Sequence, residues 1–89
     1  MKVRDFWTEE TWVKHHYAVD KVGRGVECES PDACKWCLHG VIRKVYANPH
    51  DEREAIDRLV KVIHTTEVIN FNDYSTWEQV KAAVDAADI

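Results

Sequence analysis

Asn48-Pro49-His50-Asp51-Glu52-Arg53-Glu54-Ala55-Ile56-Asp57-Arg58-Leu59-Val60-Lys61-Val62-Ile63-His64 is the stretch that sets the fold class. Asn48 can cap a helix, and Pro49 suits its first turn, where a missing N–H leaves nothing unsatisfied. Asp51, Glu52 and Glu54 place negative charge at the positive end of the dipole. Ile56, Leu59, Val60 and Ile63 follow the i, i+3, i+4, i+7 spacing of one apolar stripe. The reading is a helix over 49–64.

Working outward, Ser75-Thr76-Trp77-Glu78 reads as a capping box, with the Ser75 oxygen on the Glu78 amide and the Glu78 carboxylate reaching back. Trp77, Val80, Val84 and Ala87 then line one face of a last helix. Upstream, Ser30 as cap and Pro31 in the first turn predict a helix over 32–47. Cys34, Cys37, Leu38, Val41, Ile42 and Val45 form its broad apolar face. Gly40 costs such a helix about 1 kcal/mol relative to Ala, which points to close backbone contact with a neighbouring element. The short Ala47-Asn48-Pro49 link makes this helix and the next an antiparallel pair.

The first thirty residues admit two readings. Thr8-Glu9-Glu10-Thr11 can open a short helix with Trp12, Val13, His16 and Tyr17 as its face. Alternatively Trp12 to Val19 is extended, turns through Asp20-Lys21-Val22-Gly23 and returns through Gly25 to Cys28. Gly23 and Gly25 can supply the positive φ of such turns, and the extended reading is preferred. Glu67-Val68-Ile69-Asn70-Phe71 is read as a second extended piece ending at the Asn72-Asp73 corner. The expected fold is therefore mainly α. Three main helices form a small bundle, with a short extended or β-hairpin N-terminal segment.

Composition bounds what such a chain does. Its 89 residues, 45% of them apolar and four of them tryptophan, make one domain over 1–89 with room for one modest core. No apolar run approaches the roughly 20 residues of a membrane span, and the start lacks a signal peptide's apolar stretch. A cytoplasmic protein with no membrane partner is expected. The net charge of −4 is unevenly spread: residues 1–45 carry eight basic and seven acidic side chains, and residues 46–89 four and nine. An acidic second half argues against direct nucleic-acid binding and suits a basic protein partner.

Trp36-Cys37-Leu38-His39-Gly40 and Ile69-Asn70-Phe71-Asn72-Asp73, with Trp12, Tyr17-Ala18, Asp20 and Gly23-Arg24, carry a resemblance. Across residues 12–87 the chain resembles a small uncharacterised family from phages and actinobacteria. Its members read W…A-x-D-x-x-G-R, then W-C-L-x-G-A, a helix, W-N-D and a final helix. Val41 stands here for the usual Ala and Phe71 for the usual Trp. Only eleven residues precede Trp12, where the family often carries a helix. The resemblance implies a compact, mostly helical fold and a mobile-element origin. It implies no reaction.

Three functional readings follow. The preferred one is a non-enzymatic accessory protein that binds another protein, such as a phage-encoded inhibitor of a host defence factor. Phe6, Trp7 and Trp12 crowd a short segment, and exposed aromatics commonly anchor protein contacts. Glu67, Asp73, Glu78 and Asp85 would attract a basic surface. The alternative is a zinc-stabilised domain: Cys28, Cys34, Cys37 and His39 offer three thiolates and an imidazole within twelve residues. Against it, Cys34 and Cys37 fit the apolar face as small buried hydrophobes, and His39 points away from them. The third is a thiol-dependent enzyme. It pairs Cys37 with His39 or an N-terminal histidine, and Asn72 or Asp73 orients the base. No cofactor is assigned, and Asn72 and Asp73 are first read as corner residues that satisfy local backbone. His15 and His16 point in different directions in either conformation, which makes joint ligation awkward.

Overall fold

Helical periodicity governs the second half of the chain, and local pairing governs the first. The computed structural model describes residues 1–89 as a short helix α1 (Val3–Phe6), a 3₁₀ turn (Glu9–Thr11) and two strands, β1 (Ala18–Val19) and β2 (Lys35–Trp36). Helices α2 (Leu38–Val45), α3 (Pro49–Ile63), α4 (Val68–Asp73) and α5 (Trp77–Ala87) follow. The mainly helical expectation holds, and no helix is long and apolar enough to cross a membrane.

Helix α3 forms as its caps dictate. The Asn48 side chain accepts from the His50 amide at 2.7 Å, Pro49 occupies the first turn, and His64 closes the helix in the left-handed region at φ 61°. Ala55 and Leu59 are its buried residues, while Ile56, Val60 and Ile63 flank them half-buried. Helix α5 also forms, but its box lies one residue later than expected. Thr76 Oγ1 accepts from the Gln79 amide, and Gln79 Oε1 accepts from the Thr76 amide at 2.9 Å. Thr76-x-x-Gln79 meets the same pattern as Ser75-x-x-Glu78. The closing turn of α4 runs through Tyr74, whose amide bonds Asn70 O, and leaves Ser75 as the link.

The predicted helix over 32–47 is the largest correction. Helix α2 starts only at Leu38, because Lys35–Trp36 is taken up as a strand antiparallel to β1, with Ala18 opposite Trp36 and Val19 opposite Lys35. Cys34 N donates to Val19 O at 2.8 Å and Cys37 N to Tyr17 O at 3.1 Å, so the backbone before α2 is committed to β1. Ser30 and Pro31 instead open a local turn closed by Ala33 N on Ser30 O. The true cap is Cys37, whose sulfur accepts from Gly40 N at 3.3 Å.

Each N-terminal reading holds in part: Glu9–Thr11 forms a short 3₁₀ turn capped by Thr8, whereas Trp12 to Val19 is not helical but bends at 14–17 before pairing as β1. Val13 N bonds Trp36 O, and the chain bridges again at Val19 and Gly25. Between them Gly23 takes φ 89°, and Asp20 accepts from the amides of Val22 and Arg24. The second extended expectation fails: residues 68–73 are helical. Val68 and Asn72, four apart, both turn inward, and a short β-branched run does not distinguish strand from helix. The short N-terminal helix α1 buries Val3, whose amide donates to Ile89 O at 2.6 Å. The centre of the core is Val3, Leu38, Val41, Ile42, Leu59, Val80 and Ile89.

Gly40 provides the close contact that its position in the sequence implied. A Cβ there would overlap the carbonyl oxygen of Tyr17. Helix propensity alone favours Gly40→Ala by about 1 kcal/mol. Overpacking against backbone that cannot swing aside costs about 1–3 kcal/mol and more than cancels it. Gly40→Ala is expected to lower the urea midpoint, and a raised midpoint would show that β1 does not pin α2.

Candidate functional site

The site is assembled around one side chain. Asn72, in the last turn of α4, is fully buried. Its Oδ1 accepts from Trp12 Nε1 at 2.7 Å and from Leu38 N, the first residue of α2, at 3.0 Å. Its Nδ2 donates to Val13 O and to Asp73 Oδ1, both at 3.1 Å. The expectation that this corner satisfies local backbone is thus replaced by bonds to residues far away in sequence.

Asp73 continues the arrangement. Its Oδ1 also accepts from His15 N at 2.9 Å, and Oδ2 faces His15 Nδ1 at a longer 3.4 Å. The backbone bond holds His15 at φ 70°, a conformation that an L residue keeps only where its surroundings enforce it. The result is a cleft of about 90 Å³ lined by His15, His16, Tyr17, Cys37, Ile69 and Asp73. Tyr17 packs edge-on against His39 with ring centroids 5.5 Å apart, which fixes its orientation at the rim. Tyr17 and Ile69 are exposed, and Tyr74, next to Asp73, is 86% exposed.

The residues expected to anchor a partner lie elsewhere. Trp7 is only 5% exposed, donates its indole N–H to Thr11 O and Trp36 O, and meets Trp77 edge-on at 5.2 Å. Phe6 meets Trp36 in the same way, and Trp12 lies against Trp77. These aromatics brace the core and form no exposed patch, because α1 and the 3₁₀ turn fold them back onto α5 and β2. Glu67 and Asp73 sit at the two ends of α4, and Glu78 is exposed in the first turn of α5. Asp85 is engaged by Lys81 Nζ at 2.9 Å. Sequence reasoning missed Tyr17, Ile69 and Tyr74 as surface residues. Tyr17 and Ile69 stood within the motifs that carry the resemblance, and Tyr74 directly after one, but nothing local marked any of them as exposed.

The cysteines and histidines are not gathered as metal ligands. Cys28 and Cys37 are buried, Cys34 is exposed, and His39 faces Tyr17 and Glu52. No three of the His, Cys, Asp and Glu side chains are grouped to hold a metal ion. The thiol arrangement comes closer, since Cys37, both N-terminal histidines and Asp73 share the cleft. Burial, however, pushes the Cys37 thiol up. The amides of Gly40 and His39 offset this in part, and the charge of Asp73 adds to it. Burial likewise raises Cys28. A nucleophilic thiol must ionise, and both of these are held protonated at neutral pH. Iodoacetamide at neutral pH is therefore expected to label Cys34 first and to reach Cys28 and Cys37 only in denaturant. Faster labelling of Cys37 in the folded protein would revive the thiol-enzyme reading.

His39 titrates in the opposite sense from a surface imidazole in an ion pair. Burial lowers it below the ordinary 6.5, with Glu52, 3.8 Å away, pulling it back up and Arg43 pushing it down. The unfolded chain then takes up this proton more readily than the folded one. Stability is held above pH 6.5 and declines as pH falls from there toward the lower folded value. His39→Gln is expected to flatten the fall in Tm between pH 7 and 5, and an unchanged slope would assign that fall to other groups.

No curated protein and no solved structure matches the chain. A family model does, over residues 2–88, and by that match the chain belongs to a family of unknown function, DUF6197.

Proposed function

We propose that this chain is a non-enzymatic protein-binding module whose docking surface is the rim of the Asp73 cleft. The observation that carries the reading is the position of Tyr17 and Ile69. Both are exposed large apolar side chains, and they flank a cleft built on a strained His15 and a fully bonded Asn72. Apolar side chains left in water beside a rigid polar floor match the anatomy of a protein contact, where tyrosine is enriched. Rigidity matters because an ordered surface loses little entropy on binding.

The resemblance of Trp36-Cys37-Leu38-His39-Gly40 and Phe71-Asn72-Asp73 to phage and actinobacterial sequences gives the reading a direction. In it the module is a phage-encoded protein that covers a functional surface of a host factor in the cytoplasm. A defence system's nucleic-acid-gripping surface fits the acidic C-terminal half. The burial of Cys28 and Cys37, which keeps their thiols protonated, weighs against a thiol enzyme built on either.

Cross-linking with the purified protein in a host lysate tests the reading, with the triple variant Tyr17→Ser, Ile69→Ser, Tyr74→Ser as control. The expected result is a protein captured by the parent and lost with the variant, while circular dichroism melting stays the same. Identical capture by both proteins, or recovery of the bait alone, would overturn it.

A further inference from the structure

We infer that the Asp73 cleft is the receptor for a single arginine side chain presented by a protein partner. The inference rests on the docking reading above and names the chemistry that this surface selects.

The argument begins with the two oxygens of Asp73. Oδ1 is spent, accepting from His15 N at 2.9 Å and Asn72 Nδ2 at 3.1 Å. Oδ2 has only the 3.4 Å approach of His15 Nδ1, from a side chain that is 71% exposed. A carboxylate accepts about four hydrogen bonds, so Oδ2 retains unused capacity. The Asp73 side chain is nevertheless only 12% exposed, so bulk water reaches it poorly. Its negative charge is felt across the cleft, where it helps to raise the Cys37 thiol.

A partly buried, incompletely bonded carboxylate at the end of a cleft selects a cation. The walls select which one. Tyr17 offers an exposed ring held by its edge-on contact with His39, and Ile69 offers an apolar flank for an aliphatic stem. Guanidinium stacks on aromatic faces, is weakly hydrated, and donates in a planar fork that fits a carboxylate edge. The compact ammonium of lysine has none of these advantages. An acidic or phosphorylated ligand would meet Asp73 directly, with Glu67 at the other end of the same helix.

The probe is the capped tripeptide acetyl-Gly-Arg-Gly-amide, titrated into ¹⁵N-labelled protein at low salt. Saturable shifts are expected at the amides of His15, Tyr17 and Asp73 and at the Asn72 side-chain amide. A dissociation constant on the order of millimolar suits one buried side chain. Replacing Arg by Gln in the peptide is expected to abolish saturation, and replacing it by Lys to weaken binding several-fold. Tyr17→Ser changes an exposed residue and is expected to weaken binding about tenfold with the spectrum otherwise intact. Asp73→Asn is expected to abolish it, and Tyr17→Ser keeps the test decisive if that variant unfolds. Equal response to the Arg, Lys and Gln peptides, or none, would overturn the assignment. If the peptide fails while cross-linking still captures a partner through the Tyr17 surface, the arginine assignment falls and the docking reading stands.

Discussion

The carboxamide of Asn72 is the interaction on which the rest of the arrangement depends. A buried amide with two donors and two acceptor positions is costly unless each finds a partner, and here four hydrogen bonds answer it. The partners come from the N-terminal loop, the first residue of α2 and the neighbouring Asp73. An apolar residue at 72 would strand the Trp12 indole N–H, the Leu38 amide and the Val13 carbonyl together. Asp73 in turn fixes His15, so the cleft inherits its shape from a residue that does not line it.

A second constraint sets where α2 begins. Tyr17 O accepts from Cys37 N, and the same backbone segment presses on Gly40 one turn later. Strand and helix approach so closely that only glycine fits between them. Cys37 therefore acts as a cap and as part of the cleft wall at once. That double use also explains its chemistry: a sulfur engaged by helix amides and shielded from water is a structural element.

Legibility in the sequence follows the range of the interactions involved. Helix α3 was readable because Asn48, Pro49, the acidic first turn and the apolar stripe all act within a few residues of one another. The late start of α2 was not, because nothing near Lys35 announces a pairing with Ala18–Val19. Gly40 is an intermediate case: its cost in a helix implied a close neighbour without identifying Tyr17. For Trp7 and Phe6 the limit was different. Their burial depends on how α1 folds back onto β2 and α5, and a crowd of aromatics reads the same whether it faces a partner or the chain's own core. The Asn72-Asp73 pair drew notice as a corner. Its role emerged only from partners up to 60 residues away.

The span of those bonds bears on the order in which the molecule assembles. Asn72 joins residues separated by 34, 59 and 60 positions, and closing such loops carries an entropic cost that local helix formation does not. Helices α3 and α5 can form from neighbouring residues, whereas the cleft requires the N-terminal loop, α2 and α4 to be in place together. The Asp73 cleft is therefore a late product of folding. Any affinity built on Asp73 requires the N-terminal loop, α2 and α4 all to be in place.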